Sequence, residues 1–218
     1  MLLLLFCIGY FFVNNMLLMT LPEQFGQYFQ ARDGSLLVSG ENEFLPRYLH
    51  MMTGAIAVGG LFVALLGRFR KAENHALSTY AARVGMNTFF VMTLVNIAVG
   101  VWFLLSLPRE QMLLFMGRDR GATICFVAAL CLIAALLVSS YRKKLALTIG
   151  GTVVLVYLMS FLRAWLRSDL LAPYFNLGQL QVEPQYSSMV LFALCLVGGI
   201  ICIGWLLAKT AEALGKTN

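Results

Sequence analysis

The sequence predicts an all-α integral membrane protein with six transmembrane helices and both termini on the cytoplasmic side. Three observations carry this. The 218-residue chain is 60% hydrophobic and only 12% charged, whereas soluble domains carry roughly 25% charged residues. Six apolar runs have about the 20 residues that a helix needs to cross a bilayer. The charged residues gather between those runs, and their signs are unequal on the two sides. The predicted helices span about 2–20, 45–66, 82–107, 121–141, 145–166 and 187–208 and make one helical membrane domain over 1–218.

Each element has a clear start or stop. The first run, MLLLLFCIGYFFVNNMLLM, lacks a basic leader and an A-x-A cleavage site. It therefore reads as a spanning helix and not as a cleaved signal peptide. Leu21-Pro22-Glu23 ends it, because proline lacks the N–H that a continuing helix needs. The second helix begins near Phe44 to Pro46, and the polar stretch from Gly67 to Tyr80 follows it. Leu107-Pro108-Arg109 stops the third, and Arg142, Lys143 and Lys144 part the fourth from the fifth. Pro173 to Pro184 precede the sixth.

The basic residues set the direction. One side carries Arg68, Arg70, Lys71, Arg83, Arg142, Lys143, Lys144, Lys209 and Lys216 against Glu73 and Glu212, a net +7. The other side carries Arg32, Arg47, Arg109, Arg118, Arg120, Arg163 and Arg167. Eight acids oppose them there: Glu23, Asp33, Glu41, Glu43, Glu110, Asp119, Asp169 and Glu183, a net −1. The positive side is expected to face the cytoplasm. The chain is thus expected in the inner (cytoplasmic) membrane as a multi-pass protein, with membrane lipids around it. Its net charge of +6 reads as topology, so no nucleic acid is expected as a partner.

Several chemistries are disfavoured. The five cysteines, Cys7, Cys125, Cys131, Cys195 and Cys202, form no CxxC or CxxCH, the spacings used by iron–sulfur clusters and covalent haem. There is no nucleotide loop, HExxH or GxSxG. A small-solute transporter is disfavoured, because no acid stands within a span and no pair of helices is broken.

His50 stands out. It lies in LPRYLHMMTGAIAVGG, about a turn inside the second helix. An ionisable group at that depth is costly without a partner and points to function, and imidazole is a good metal ligand. Arg47 precedes it by three residues and Gly54 follows by four, so all three share a face. Ligand, cation and small residue in that order suit a haem b lying near the outer surface: iron on His50, propionates on Arg47, and the ring against Gly54, Gly59 and Gly60. The plain alternatives are a snorkelling arginine, a helix-contact glycine and a hydrogen-bonded histidine. His75 sits a membrane thickness away and is expected to be a solvated loop residue. A sixth iron ligand would then be a methionine. Met159 has the right depth, with Arg163 at i+4 and Arg167 continuing the face. Met16, Met19, Met51, Met52 and Met189 lie at similar depth, whereas Met86 and Met92 lie too deep. Asn14, Asn15, Asn87 and Asn96 are expected to bond between helices.

The order Asn14-Asn15-Met16, Pro22, then Pro46-Arg47-Tyr48-Leu49-His50 and a Gly-rich helix resembles the middle of subunit I of cytochrome bd-type quinol oxidases. The resemblance covers about residues 10–66. It implies that His50 binds a low-spin haem b, with Met159 and Arg163 as its methionine and arginine. It implies quinol oxidation at the outer face. The family's oxygen-reducing haem pair needs an N-terminal bundle that has no counterpart here, and 108–120 is shorter than its quinol loop. The resemblance therefore implies an electron-transport subunit of a respiratory chain that does not reduce oxygen alone. Its partners would be other membrane subunits or an outer-side c-type cytochrome. Glu43, Glu110 or Asp169 would take the quinol proton. The rival expectation is a haem-free structural or anchoring subunit of a membrane complex.

Overall fold

The computed structural model describes residues 2–30, 36–69, 75–175, 178, 180–181 and 184–215. Of the charges used above, Arg32, Asp33, Arg70, Lys71, Glu73, Glu183 and Lys216 lie outside the described residues. Among the described residues every regular element is helical. Five helices are long and apolar enough to cross a membrane, and a sixth crossing is possible if one bent pair acts as a span. That is the make-up of a multi-pass membrane protein. The chain divides into two compact units, Met1–Asn176 and Leu177–Asn218.

In the first unit, α1 (Leu2–Leu18) has 17 residues. At 1.5 Å per residue it spans roughly 26 Å, less than the roughly 30 Å of a hydrocarbon core. A 3-10 helix over Pro22–Phe29 follows, bent by 111° from α1. Pro22 causes the break: it disfavours helical geometry at Leu21, which adopts φ −120° and ψ 70°. Buried Asn14 holds the returning chain. Its amide nitrogen donates to Leu36 O at 3.1 Å, and its oxygen accepts from Val38 N at 2.8 Å. Val13, Leu17, Val38 and Phe44 close a small core around this tie. Asn14 therefore bonds to a loop and not across two helices.

The centre of the fold is the antiparallel pair α2 (Phe44–Phe69) and α3 (His75–Ser106). Arg47 meets Phe103, His50 meets Gly100, and Thr53 meets Asn96. Further along, Gly60 meets Gly85 and Gly67 meets Ser78. The partner numbers fall on α3 as they rise on α2, which fixes one register. Small residues bring the backbones close: a Cβ at Gly60 would stand 2.8 Å from Gly85 O. Helix α3 starts seven residues before the expected 82. Alanine, leucine and arginine in HALSTYAAR favour helix whether or not they lie in the apolar run. His75 is thus the first residue of a helix, and it is exposed.

The stretch expected as a loop at 108–120 is structured. It holds α4 (Arg109–Leu113) and a tight turn over Leu114–Arg118. Gly117 makes that turn at φ +113°, where a side chain would be strained. Asp119 then caps α5 (Arg120–Tyr141), accepting from Ala122 N at 2.7 Å. Helix α6 (Leu145–Leu171) returns along α5. Leu107, Leu114, Phe115, Ala122, Ala129, Leu162 and Leu166 form their core.

The turn between α5 and α6 places Lys143 at φ +54°. A non-glycine residue there costs about 1 kcal/mol. Lys143→Gly is expected to raise stability by up to ~1 kcal/mol in a detergent unfolding assay. A loss of stability would mean that the lysine has a compensating contact.

The second unit contains α7 (Tyr186–Gly215), whose Tyr186–Thr210 portion is 25 residues long and apolar enough to cross a membrane. Lys209 and Glu212 pair at 2.8 Å near its end.

Candidate functional site

The charged groups of interest meet at one end of the first unit. Helix α2 starts just after Glu43, and one turn later Arg47 reaches back to it with Nη2 2.8 Å from Oε2. The i,i+4 spacing makes this pair local and cheap to form. The same guanidinium lies over the Phe103 ring, 5.1 Å from its centroid, a cation–π contact. Arg47 Nε is buried and has no hydrogen-bond partner.

Arg163 and Arg167, one turn apart on α6, face Arg47 across a cavity of about 30 Å³. Met16 and Met19 from α1's end and Leu170 from α6 complete the wall. Arg163 rests on the Met16 sulfur, a weak acceptor for a guanidinium. Neither Arg163 nor Arg167 has a carboxylate partner among the described residues. The nearby Asp169 is taken by Arg118.

His50 lies one turn below Arg47 and is half-buried. Its ring packs on Gly100. A Cβ at that position would stand 3.2 Å from Cε1 and 3.3 Å from Nδ1. Nδ1 is buried with no hydrogen bond of good geometry, and the Asn96 backbone lies within hydrogen-bonding reach of the ring. One turn deeper, the Thr53 hydroxyl donates to Asn96 Oδ1 at 2.6 Å. Asn96 thus bonds between helices as expected.

The expected residues are only partly brought together. Arg47 and Arg163 share one cavity. Met159 packs in the α5–α6 core beside Leu162; the methionines at the arginines are Met16 and Met19. Gly54 does not open onto free space: a Cβ there would meet Asn96 Nδ2 at 3.5 Å. Gly60 closes on Gly85, and only Gly59 of the three has nothing within 4 Å. His75 belongs to the far end of the α2–α3 pair, where Gly67 meets Ser78. The 17 residues from His50 to Gly67 rise roughly 26 Å, so His75 cannot share a metal with His50.

For a haem b, the donor chemistry fits and the wall does not lie where expected. The His50 Nδ1 is sealed against Gly100 and the Asn96 main chain, which leaves Nε2 to a ligand, and the Arg47 guanidinium stands one turn above it. The glycine face is filled by α3, so a macrocycle would have to approach His50 from another side.

Glu43 is mostly buried, and burial pushes its carboxyl above the usual 4.5. Arg47 offsets part of that rise and Glu41 adds to it. A raised folded-state value makes this group's contribution to stability full below about 4.5 and lost as pH rises through the folded value. Glu43→Gln should therefore gain stability relative to the parent as pH increases through that window. Infrared difference spectra between the two proteins should also show a carboxyl titrating above 4.5. A midpoint below 4.5 would mean that Arg47 outweighs burial.

Sequence reasoning missed Gly100, Phe103, and Met16 as the partner of Arg163. The Glu43–Arg47 spacing was the one available signal.

Compared with protein-family models, curated proteins and solved structures, the chain matches none.

Proposed function

We propose that this chain is a b-type cytochrome subunit of a membrane complex, carrying electrons between the quinol pool and a partner redox subunit. The observation that carries the reading is His50: a half-buried imidazole one turn below an arginine, with Nδ1 turned into the α2–α3 seam against Gly100 and the Asn96 main chain and Nε2 left to a ligand. An Nδ1 turned toward a backbone carbonyl sets the tautomer that leaves Nε2 free to bind iron. The haem would supply reversible one-electron chemistry. His50 would hold the iron, and Arg47, already fixed by Glu43 and Phe103, would lend positive charge beside it. Gly100 leaves the ring room to take its position. The sixth ligand passes from Met159 to the methionines at the arginine cavity, of which Met16 contacts Arg163. In this reading the arginine end faces outward and the basic end inward, in the inner membrane. Of Glu43, Glu110 and Asp169, Glu43 beside Arg47 is the acid that would take a proton from quinol. An outer-side c-type cytochrome or another membrane subunit would exchange the electrons.

The second reading is a haem-free anchoring subunit. It is favoured by the filling of Gly54 and Gly60 by α3, which makes His50 part of a helix–helix seam. A dithionite-reduced minus oxidised spectrum of the purified protein separates the two. A b-type α-band is expected; a flat spectrum would leave the anchoring role.

A further inference from the structure

Among the described residues, the arginine cavity carries more positive charge than carboxylates neutralise. Three guanidinium groups line it, and one carboxylate, Glu43, answers them. The excess is two positive charges. Arg163 and Arg167 are exposed, so solvent screens part of their repulsion from Arg47, and a bound anion would remove the rest. Arginine's planar fork suits phosphate oxygens in particular.

The local chemistry narrows the ligand. Arg163 has settled for a thioether, which a phosphate oxygen would displace as the stronger acceptor. Arg47 Nε is a buried donor with no acceptor. A cavity of about 30 Å³ takes about two oxygen-sized groups at roughly 10–15 Å³ each. That is the size of the non-bridging oxygens of a phosphate, not of a whole lipid. Met19, Leu166 and Leu170 form the apolar part of the wall, against which the remainder of a lipid could lie.

We infer that Arg47, Arg163 and Arg167 form a binding site for a phosphate oxyanion, supplied by an anionic phospholipid headgroup or by free phosphate. The site shares Arg47 and Met16 with the haem reading but needs no metal, since Arg163 and Arg167 supply its charge. Arg163 and Arg167 supply the two unpaired charges. Arg47, fixed by Glu43 and Phe103, supplies its buried Nε.

The test uses the full chain, purified and delipidated in a neutral detergent. Thermal unfolding is followed with added phosphatidylglycerol, with diacylglycerol, or with inorganic phosphate alone. Phosphatidylglycerol is expected to raise the midpoint and diacylglycerol is not. Phosphate alone reproducing the full shift assigns the site to the free anion. The double variant Arg163→Gln/Arg167→Gln should bind with an apparent Kd raised about tenfold or more for each arginine lost. Its circular dichroism spectrum should match the parent's. The Lys/Lys variant, which keeps the charge and loses the fork, should recover part of the affinity. An equal shift in parent and Gln/Gln variant, or no shift in the parent, would overturn the site. So would a Gln/Gln variant that keeps the lipid shift but moves the potential of a b-type band; the arginines would then serve haem carboxylates.

Discussion

Gly85→Val is expected to disrupt the α2–α3 pair and to lose at least 3 kcal/mol of stability. A Cβ at Gly85 would stand 2.6 Å from Ala64 N and 2.9 Å from Ala64 Cβ. The first is backbone, which cannot swing aside as a long side chain can. Overpacking costs about 1–3 kcal/mol where side chains can adjust, occasionally more. A clash against backbone belongs at or beyond the upper end. The two helices would have to separate, and the contacts among Ala57, Leu61, Ala64, Met86 and Phe89 would go with them. Gly59→Val is the matched control. Nothing lies within 4 Å of its added Cβ, so it should change stability by no more than about 0.5 kcal/mol. Thermal unfolding in detergent reads both. Equal losses at the two positions would mean that α2 presents a different face to α3.

The same seam marks where sequence reasoning stops. Hydropathy located the apolar runs, because crossing a bilayer demands length and apolarity from each helix separately. Prolines and lysine–arginine clusters gave the breaks, because their effects are local. Partnership between helices is not local. Gly54 and Gly60 could be read as a small-residue face, but not that Asn96 and Gly85 fill it. Depth along an axis placed Met159 level with His50. The direction around the axis then decides which neighbours a side chain meets, and this put Met159 in the α5–α6 core. Arg47 and Arg163 were matched by depth in the same way, and there the directions converge on one cavity. The 3-10 helix after Pro22 and the early start of α3 escaped for another reason. Both lie at polar ends, where turn chemistry and helix propensity act and apolar periodicity is silent.

His50→Ala is expected to abolish a b-type absorption band completely while leaving the helical fold in place. Two features of the site make the effect all-or-none. First, an axial bond cannot be half removed: alanine offers no nitrogen, and His75 is roughly 26 Å away along the helix pair. Second, the ring's own packing is modest. It lies on Gly100, and the neighbouring Thr53–Asn96 bond and Gly60–Gly85 contact do not depend on it. Circular dichroism should therefore match the parent. Gly100→Val probes the same ring without removing it. Its Cβ would stand 3.2 Å from Cε1, so it should tilt the imidazole, keep the band and change its shape or potential. Met16→Leu should perturb the band and Met159→Leu should not, since Met16 lies at the arginine cavity and Met159 lies in the α5–α6 core. The reverse ranking would return the sixth bond to Met159. A band that survives His50→Ala would place the haem on a partner chain, and His50 would remain a packed imidazole of the α2–α3 seam.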